Sequence, residues 1–292
     1  MVTRPAFRYH GSKFLLAKWI ISHFPPHECY VEPYGGGASV LLQKPRSWLE
    51  VYNDKSNQVV NFFRVLRERP NDLVRVIELT PYAKAEWLQS FDDQPDPVEQ
   101  ARRFYVRAYM SIAGATARWN TGWRRQKVVS KDNGKKKMTP AAISFMNVAH
   151  LYAVAERLRG VQIECDEALA VIKRYDSPDT LFYLDPPYPS STRRKQHAYE
   201  YEMTDDEHRQ LAFVLHNIRG MAMISGYQCE LYDDLYSGWC RVDKKARVNG
   251  PGQATESLWL SPALVENQLP LFSLSDDDDV SGERPSGAHE SG

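Results

Sequence analysis

The 292-residue sequence predicts an α/β fold: a mostly parallel sheet with one antiparallel strand near the C-terminus, interrupted by an inserted, mainly helical segment. Three observations predict it. Short apolar runs alternate with amphipathic helical patterns over residues 1–69 and again over 151–265, as strand-helix-strand units require. Between residues 70 and 150 that alternation is lost. Late in the chain, two strand-like runs, 241–247 and 256–260, are joined through Asn249-Gly250-Pro251-Gly252, which suits an antiparallel pair closing the sheet. The expected units are therefore a core in two parts, 1–69 and 151–265, an inserted domain at 70–150, and a tail at 266–292.

Taken in order, Arg8-Tyr9-His10-Gly11-Ser12-Lys13 opens a helix over 14–24, where Leu15, Leu16, Trp19 and Ile20 recur at helical spacing. Its amides and Lys13 either hold an anion or form an ordinary turn with a surface lysine. Cys29-Tyr30-Val31-Glu32-Pro33 is a short buried strand, followed by Tyr34-Gly35-Gly36-Gly37-Ala38-Ser39-Val40, a glycine turn and helical start. Residues 48–52 form a second strand ending in Asn53-Asp54. An acid about 20 residues past a glycine turn binds ribose hydroxyls in nucleotide-binding folds, so Asp54 marks either an adenosine-containing cofactor or a plain Asn-Asp turn.

A helix over 55–69 ends at Pro70, and a longer one covers 98–113. It leads into Ala117-Arg118-Trp119-Asn120-Thr121-Gly122-Trp123-Arg124-Arg125-Gln126-Lys127, two strand-like pieces punctuated by Asn120-Thr121-Gly122, as in a hairpin. Residues 131–137 read as a loop, and a helix runs from 139 to 159 with Gly160 just past its end. Alternation then resumes with a strand at 161–164 ending in Cys165-Asp166, a helix at 169–175 and a strand at 181–184. Thr204-Asp205-Asp206-Glu207 is a capping box for a helix with Leu211, Val214, Leu215 and Ile218 on its buried stripe and Gly220 closing it, before a strand at 221–225. Past Pro270 the Ser, Gly and Asp content predicts disorder.

The formal net charge is zero, but it averages two opposite segments. Residues 101–140 carry eleven Lys and Arg against Asp132 alone, whereas the last 27 residues carry seven acids against Arg284. The first suits phosphates and the second a solvated tail. Trp119 and Trp123 among Arg118, Arg124, Arg125 and Lys127 suit phosphate contact and insertion between bases; the other possibility is a solvated basic face with the tryptophans turned inward. Cys29, Cys165, Cys229 and Cys240 have neither CxxC spacing nor nearby His partners, so no zinc site or disulfide framework is expected. With no signal-type or membrane-length apolar run, a soluble, cytoplasmic protein without membrane or metal is expected.

Leu181-Phe182-Tyr183-Leu184-Asp185-Pro186-Pro187-Tyr188 carries the chemistry. A buried strand stops at two prolines and delivers a carboxylate to the sheet's carboxyl edge, where open α/β sheets bind ligands. The prolines donate no hydrogen bond, so carbonyls and Asp185 are acceptors beside an aromatic ring. That set fits an exocyclic amine, with two N–H donors and a π face, unless it is a plain Asp-Pro turn. The polar, basic loop 189–199, with Arg193 and Arg194, either closes over such a site or is simply mobile.

In this order these pieces resemble the Dam-type, DPPY-motif N6-adenine-specific DNA methyltransferases over about residues 7–262. The resemblance implies a Rossmann-like S-adenosylmethionine-dependent methyltransferase sheet with an inserted target-recognition domain, in a bacterial or phage-host cytoplasm, working as a monomer or weak dimer on double-stranded DNA. It implies S-adenosyl-L-methionine held by Tyr9, Lys13, Glu32, Pro33, Tyr34, Gly35, Gly37, Asp54, Asp166 and Asp185. Asp185, Pro186, Pro187 and Tyr188 would act on a flipped adenine, and Arg118, Trp119 and Asn120, which resemble an Arg-aromatic-Asn element of the family's DNA-probing hairpin, would contact DNA; beyond them the insert departs from the family, and Arg124, Arg125, Lys127, Arg193 and Arg194 are expected to contact DNA on their basic surroundings alone. The alternatives are N4-cytosine transfer, a protein-glutamine methyltransferase and a non-catalytic DNA-binding relative. The cytosine class more often has Ser, and the glutamine class Asn, where this chain has Asp185.

Overall fold

A computed structural model describes residues 2–112, 114, 121–125, 131–132, 135–136, 141–192, 201–247 and 253–268 of the chain. Seven strands form one sheet: β1 (Cys29–Glu32), β2 (Leu49–Asn53), β5 (Gln162–Glu164), β6 (Thr180–Leu184), β7 (Met221–Gly226), β8 (Cys240–Arg247) and β9 (Gln253–Leu260), in the order β5-β2-β1-β6-β7-β9-β8. The pairs from β5 to β7 are parallel, and β9 runs antiparallel to both β7 and β8, as expected. The central strands are buried without alternation because both faces are covered.

Tyr30, Tyr52, Leu181 and Met223 face one buried cluster, with α2 (Asn57–Glu68), α3 (Pro70–Glu78), α5 (Pro97–Met110) and α7 (His150–Leu158). Val31, Val51, Phe182 and Ile224 face another, with α8 (Ala168–Tyr175), α9 (Asp205–Leu215) and α10 (Glu230–Leu235). Helices α3 and α5 lie within the segment read as an insert, yet Leu73, Ile77, Phe104 and Tyr105 share the sheet's own cluster.

Several elements differ from expectation. The first helix, α1, is only Ala17–Ile21, because the residues before it are tied to the glycine turn: Ser12 Oγ lies 2.8 Å from Ser39 Oγ and Gln43 donates to the Phe14 carbonyl at 2.9 Å. The helical start after the glycines is a run of turns, with Ala38 at φ 51° breaking any helix there. Pro70 ends one helix but also begins α3, where its missing N–H costs nothing. The 131–137 loop contains a two-stranded hairpin, β3 (Lys131–Asp132) against β4 (Lys135–Lys136). The helix expected over 139–159 is broken into α6 (Ala141–Met146) and α7, with buried Val148 between them and Arg4 taking the Asn147 carbonyl at 3.2 Å. In the basic segment, Trp123 pairs through a single bridge with Ser111, and the Trp119 piece lies outside the described residues.

Among the described residues three further short helices were not expected: α4 (Lys84–Gln89), α10, and α11 (Pro262–Asn267), which runs past residue 266, where the tail was drawn; residues 269–292 lie outside the described residues. No described helix is long and apolar enough to cross a membrane.

The capping box is present, with Thr204 accepting from the Glu207 amide, but α9 ends at Leu215, so Gly220 is not its cap. Gly220 instead lets β7 begin close against the turn before β6: a Cβ there would lie 2.8 Å from both the Ser177 and Thr180 carbonyl oxygens. Backbone cannot swing aside as a side chain does. Gly220→Ala is therefore expected to destabilise the fold by about 1–3 kcal/mol, read as a lower denaturant midpoint; an unchanged midpoint would show that the turn yields freely.

Candidate active site

The carboxyl ends of β1, β2, β5 and β6 open on one cleft of about 250 Å³. Its floor begins with the glycine turn, held by the strand beside it. The Gly35 amide donates to the Asn53 carbonyl at 2.7 Å, and the Tyr52 hydroxyl to the Gly36 carbonyl at 2.7 Å. A Cβ at Gly35 would meet the Tyr52 ring at 2.2 Å, and one at Gly36 the Tyr9 ring at 2.8 Å, so the turn admits no side chain between the two rings. Asp54 accepts the Gly36 and Ser56 amides, each at 2.8 Å, and lines the cleft beside them.

Asn53, fully buried, sits behind this floor. Its amide donates to the Pro33 carbonyl at 2.9 Å and the Asp166 carbonyl at 3.0 Å, and accepts the Asp166 amide at 2.9 Å. Asp166 is thus held at the cleft wall by its backbone bonds to Asn53. Its carboxylate pairs with Arg174 at 2.7 Å, which holds its pKa below the ordinary value.

At the end of β6, both Asp185 oxygens accept from the Lys13 ammonium, at 2.8 and 2.9 Å, and Oδ1 also accepts from Ser225 at 2.8 Å. Lys13, expected to serve an anionic ligand, is 6% exposed and lies 3.5 Å from Glu256 as well. Its ammonium stands 4.8 Å over the Tyr188 ring. Tyr188 is only 5% exposed, donates its hydroxyl to Glu256, and meets the half-buried Tyr227 edge-on at 5.0 Å.

Tyr9, Lys13, Glu32, Pro33, Tyr34, Gly35, Gly37, Asp54, Asp166, Asp185 and Pro187 therefore line one cleft, while Pro186 and Tyr188 are buried beside it. Of the basic residues, Arg125 is exposed; Arg124 is half-buried, its backbone tied to Met110 and to the Tyr82 hydroxyl. Arg118, Trp119, Asn120, Lys127, Arg193 and Arg194 lie outside the described residues. Among the described residues no cluster of His, Cys, Asp and Glu is arranged for a metal.

The opposite wall went unread in the sequence. Tyr201, Glu202, Met203, Glu207 and Gln210 form it, together with Lys55, which pairs with Glu167 at 2.7 Å and lies 5.5 Å over the Tyr201 ring. The capping box pointed to a helix start but not to a ligand. Glu256 was also missed as a site residue, although it opens the late run Glu256-Ser257-Leu258-Trp259-Leu260.

Residues 9–249 match the family model described as D12 class N6 adenine-specific DNA methyltransferase. The chain is 25% identical over 204 residues to the DNA adenine methylase of Escherichia coli (strain K12), covering 67% of this chain and 69% of that protein. It is 24% identical over 260 residues to the DNA adenine methylase of Serratia marcescens, covering 84% and 91%. With that of Salmonella typhi it shares 25% over 247 residues, covering 80% and 84%.

Glu32, on the cleft floor, accepts the Tyr30 hydroxyl at 2.7 Å and the Leu41 amide at 2.6 Å, yet burial pushes its pKa up to about 7. A carboxylate whose folded pKa is raised binds its proton more tightly when folded, so stability is greatest below the unfolded pKa and falls as pH rises toward the folded one. Between about pH 4.5 and 7 that loss is on the order of 3 kcal/mol. Glu32→Gln keeps an acceptor for both donors and should abolish this part of the slope in denaturant midpoints measured against pH; a parental slope in the variant would mean that Glu32 stays ionised throughout.

Proposed function

The chain belongs to the D12 class of N6 adenine-specific DNA methyltransferases, and on that premise we propose that it transfers a methyl group from S-adenosylmethionine to N6 of an adenine extruded at specific sites in double-stranded DNA. One observation carries the proposal: β1 and β6 are adjacent and parallel, so the glycine turn after one and Asp185 after the other open on the same cleft. The side-chain-free turn between Tyr9 and Tyr52, with the Asp54 carboxylate beside it, fits an adenosine-containing donor. S-adenosylmethionine, when bound, supplies an electrophilic methyl on a sulfonium.

The residues do the rest. Asp54 offers its carboxylate to ribose while keeping the glycine turn in place, and the 34–37 backbone lies along the donor. Asp185 and the Pro186 carbonyl accept the two N–H groups of the adenine amine, which localises its lone pair toward the methyl. The base must leave the duplex because that amine is paired inside it. Tyr188 stacks on the extruded ring after Tyr227, now edge-on to it, moves aside. Arg118, Trp119, Asn120, Arg124, Arg125 and Lys127 supply phosphate contacts and target choice, with Arg193 and Arg194 on the opposite side of the motif in sequence.

Asp54→Ala is expected to weaken S-adenosylmethionine binding in calorimetric titration while DNA binding survives, and unchanged donor affinity would remove Asp54 from the pocket. Tyr188→Ala should lose roughly 1–3 kcal/mol of base capture, with Tyr188→Phe retaining much more activity in single-turnover methylation. A mismatched, already loosened adenine should partly rescue the alanine variant. Full activity of Tyr188→Ala on ordinary duplex would defeat the flipped-base assignment. Trp119→Ala should narrow the rate difference between preferred and altered sites; an unaltered ratio would place target choice elsewhere.

A further inference from the structure

Glu256 sits on β9, on the antiparallel side of the sheet, with 5% exposure. It accepts the Tyr188 hydroxyl and lies 3.5 Å from the Lys13 ammonium, which is fully engaged by Asp185 at 2.8 and 2.9 Å and by the Gly11 carbonyl at 3.1 Å. One buried ammonium thus stands between two carboxylates. Asp185 also accepts from Ser225, so of its roughly four lone-pair directions three are taken before any substrate arrives. The one direction left for an amine N–H lies on a carboxylate that Lys13 engages through both oxygens, so amine and ammonium, both donors, crowd a single acceptor.

We propose that Glu256 is a positioning residue for methyl transfer: it provides the second seat for the Lys13 ammonium, drawing it off Asp185 when the substrate amine donates there. The shift is short, because the ammonium already stands between the two acids. Without a second anion, releasing Lys13 from Asp185 would strand a buried cation, which costs several kcal/mol. With Glu256 present the ammonium exchanges one carboxylate for another. The groups facing Glu256 are Lys13 from the N-terminal loop, Asp185 and Tyr188 from the β6 exit, Tyr183 within β6, Tyr227 past β7, and Lys244, its register partner on β8. Lys244 is exposed and turned over the Trp19 ring at 5.4 Å, which leaves Lys13 as the buried cation of the group. Burial holds the Glu256 pKa above the ordinary carboxylate value, so the seat is lost as pH falls through that raised value.

The inference rests on Asp185 being the amine acceptor. It is tested by single-turnover methylation with donor and duplex saturating, comparing parent, Glu256→Gln and Glu256→Asp. Glu256→Gln keeps the shape and an oxygen for the Tyr188 hydroxyl but removes the charge; Glu256→Asp keeps the charge and shortens the arm. The expected rates fall in the order parent, Asp, Gln, with the glutamine variant slower than the parent by about 10-fold or more. The parent should also lose rate toward acid in a limb that Glu256→Gln lacks. A glutamine variant faster than the aspartate variant, or one at the parental rate with the acid limb intact, would overturn the inference, since a purely structural residue obeys shape before charge. Asp185→Ala run alongside separates the two ideas: parental activity there would overturn both, whereas its loss together with parental rates in Glu256→Gln would overturn the role of Glu256 alone.

Discussion

The cleft depends first on the buried amide of Asn53. A parallel sheet delivers its strand exits side by side at one edge, but nothing in the sheet itself holds the exits in register beyond their last hydrogen bonds. Asn53 supplies that link, spanning the exits of β1 at Pro33 and β5 at Asp166 from its own place at the end of β2. An amide can donate and accept in one plane, and here both donors and the acceptor oxygen are used in full burial. With Asn53 in place, Asp54 is aimed at the glycine turn and Gly35 is clamped to the strand beside it.

Two buried ionic groups in the same fold show how differently charge is handled. Glu50, 3% exposed, is matched by Lys44 at 2.7 Å and by both guanidinium nitrogens of Arg157 at 2.6 and 2.7 Å, with Arg46 at 3.8 Å, so its oxygens are answered by three cations. That arrangement is fixed. At the cleft the ratio is inverted, with Lys13 between Asp185 and Glu256, and a cation shared between two acids can change partner. Charge that only supports a fold is saturated; charge that must respond to a substrate is left with a choice.

Much of this was legible in the residues. Continuous apolar runs such as 181–184 announced strands covered on both faces, the prolines after Asp185 announced where the strand would stop, and Thr204 with Glu207 announced a helix start. The glycine turn and Asp54 were found together because their spacing along the chain reflects two adjacent strands. What escaped was set by contacts distant in sequence. Local spacing began the first helix at residue 14, whereas the contacts of Ser12 with Ser39 and of Phe14 with Gln43 hold that stretch outside it. The partner of Lys13 lies 172 residues away, and no local pattern points across that distance. Gly220 looked like a helix cap because a glycine after an apolar stripe usually is one, while its actual role is to let two backbones touch.

The packing around α5 and α6 bears on how such a protein could come to prefer a different target. Phe145 of α6 rests against Tyr105 and Tyr109 of α5 and against Tyr82, with ring centroids 5.6, 6.2 and 5.8 Å apart, so the two roots of the basic stretch between Met110 and Ala141 are fastened side by side. Arg8 adds a clasp at the first root, donating to the carbonyls of Ala108, Tyr109 and Ser111. Lengthening or rewriting a segment whose ends are already pinned together costs little loop entropy, since each doubling adds only about 0.6 kcal/mol. With Met110 and Ala141 held to one core, a lineage could lengthen the chain between them at little entropic cost, provided that the contacts of Ser111 with Trp87 and of Trp123 with Tyr82 were kept.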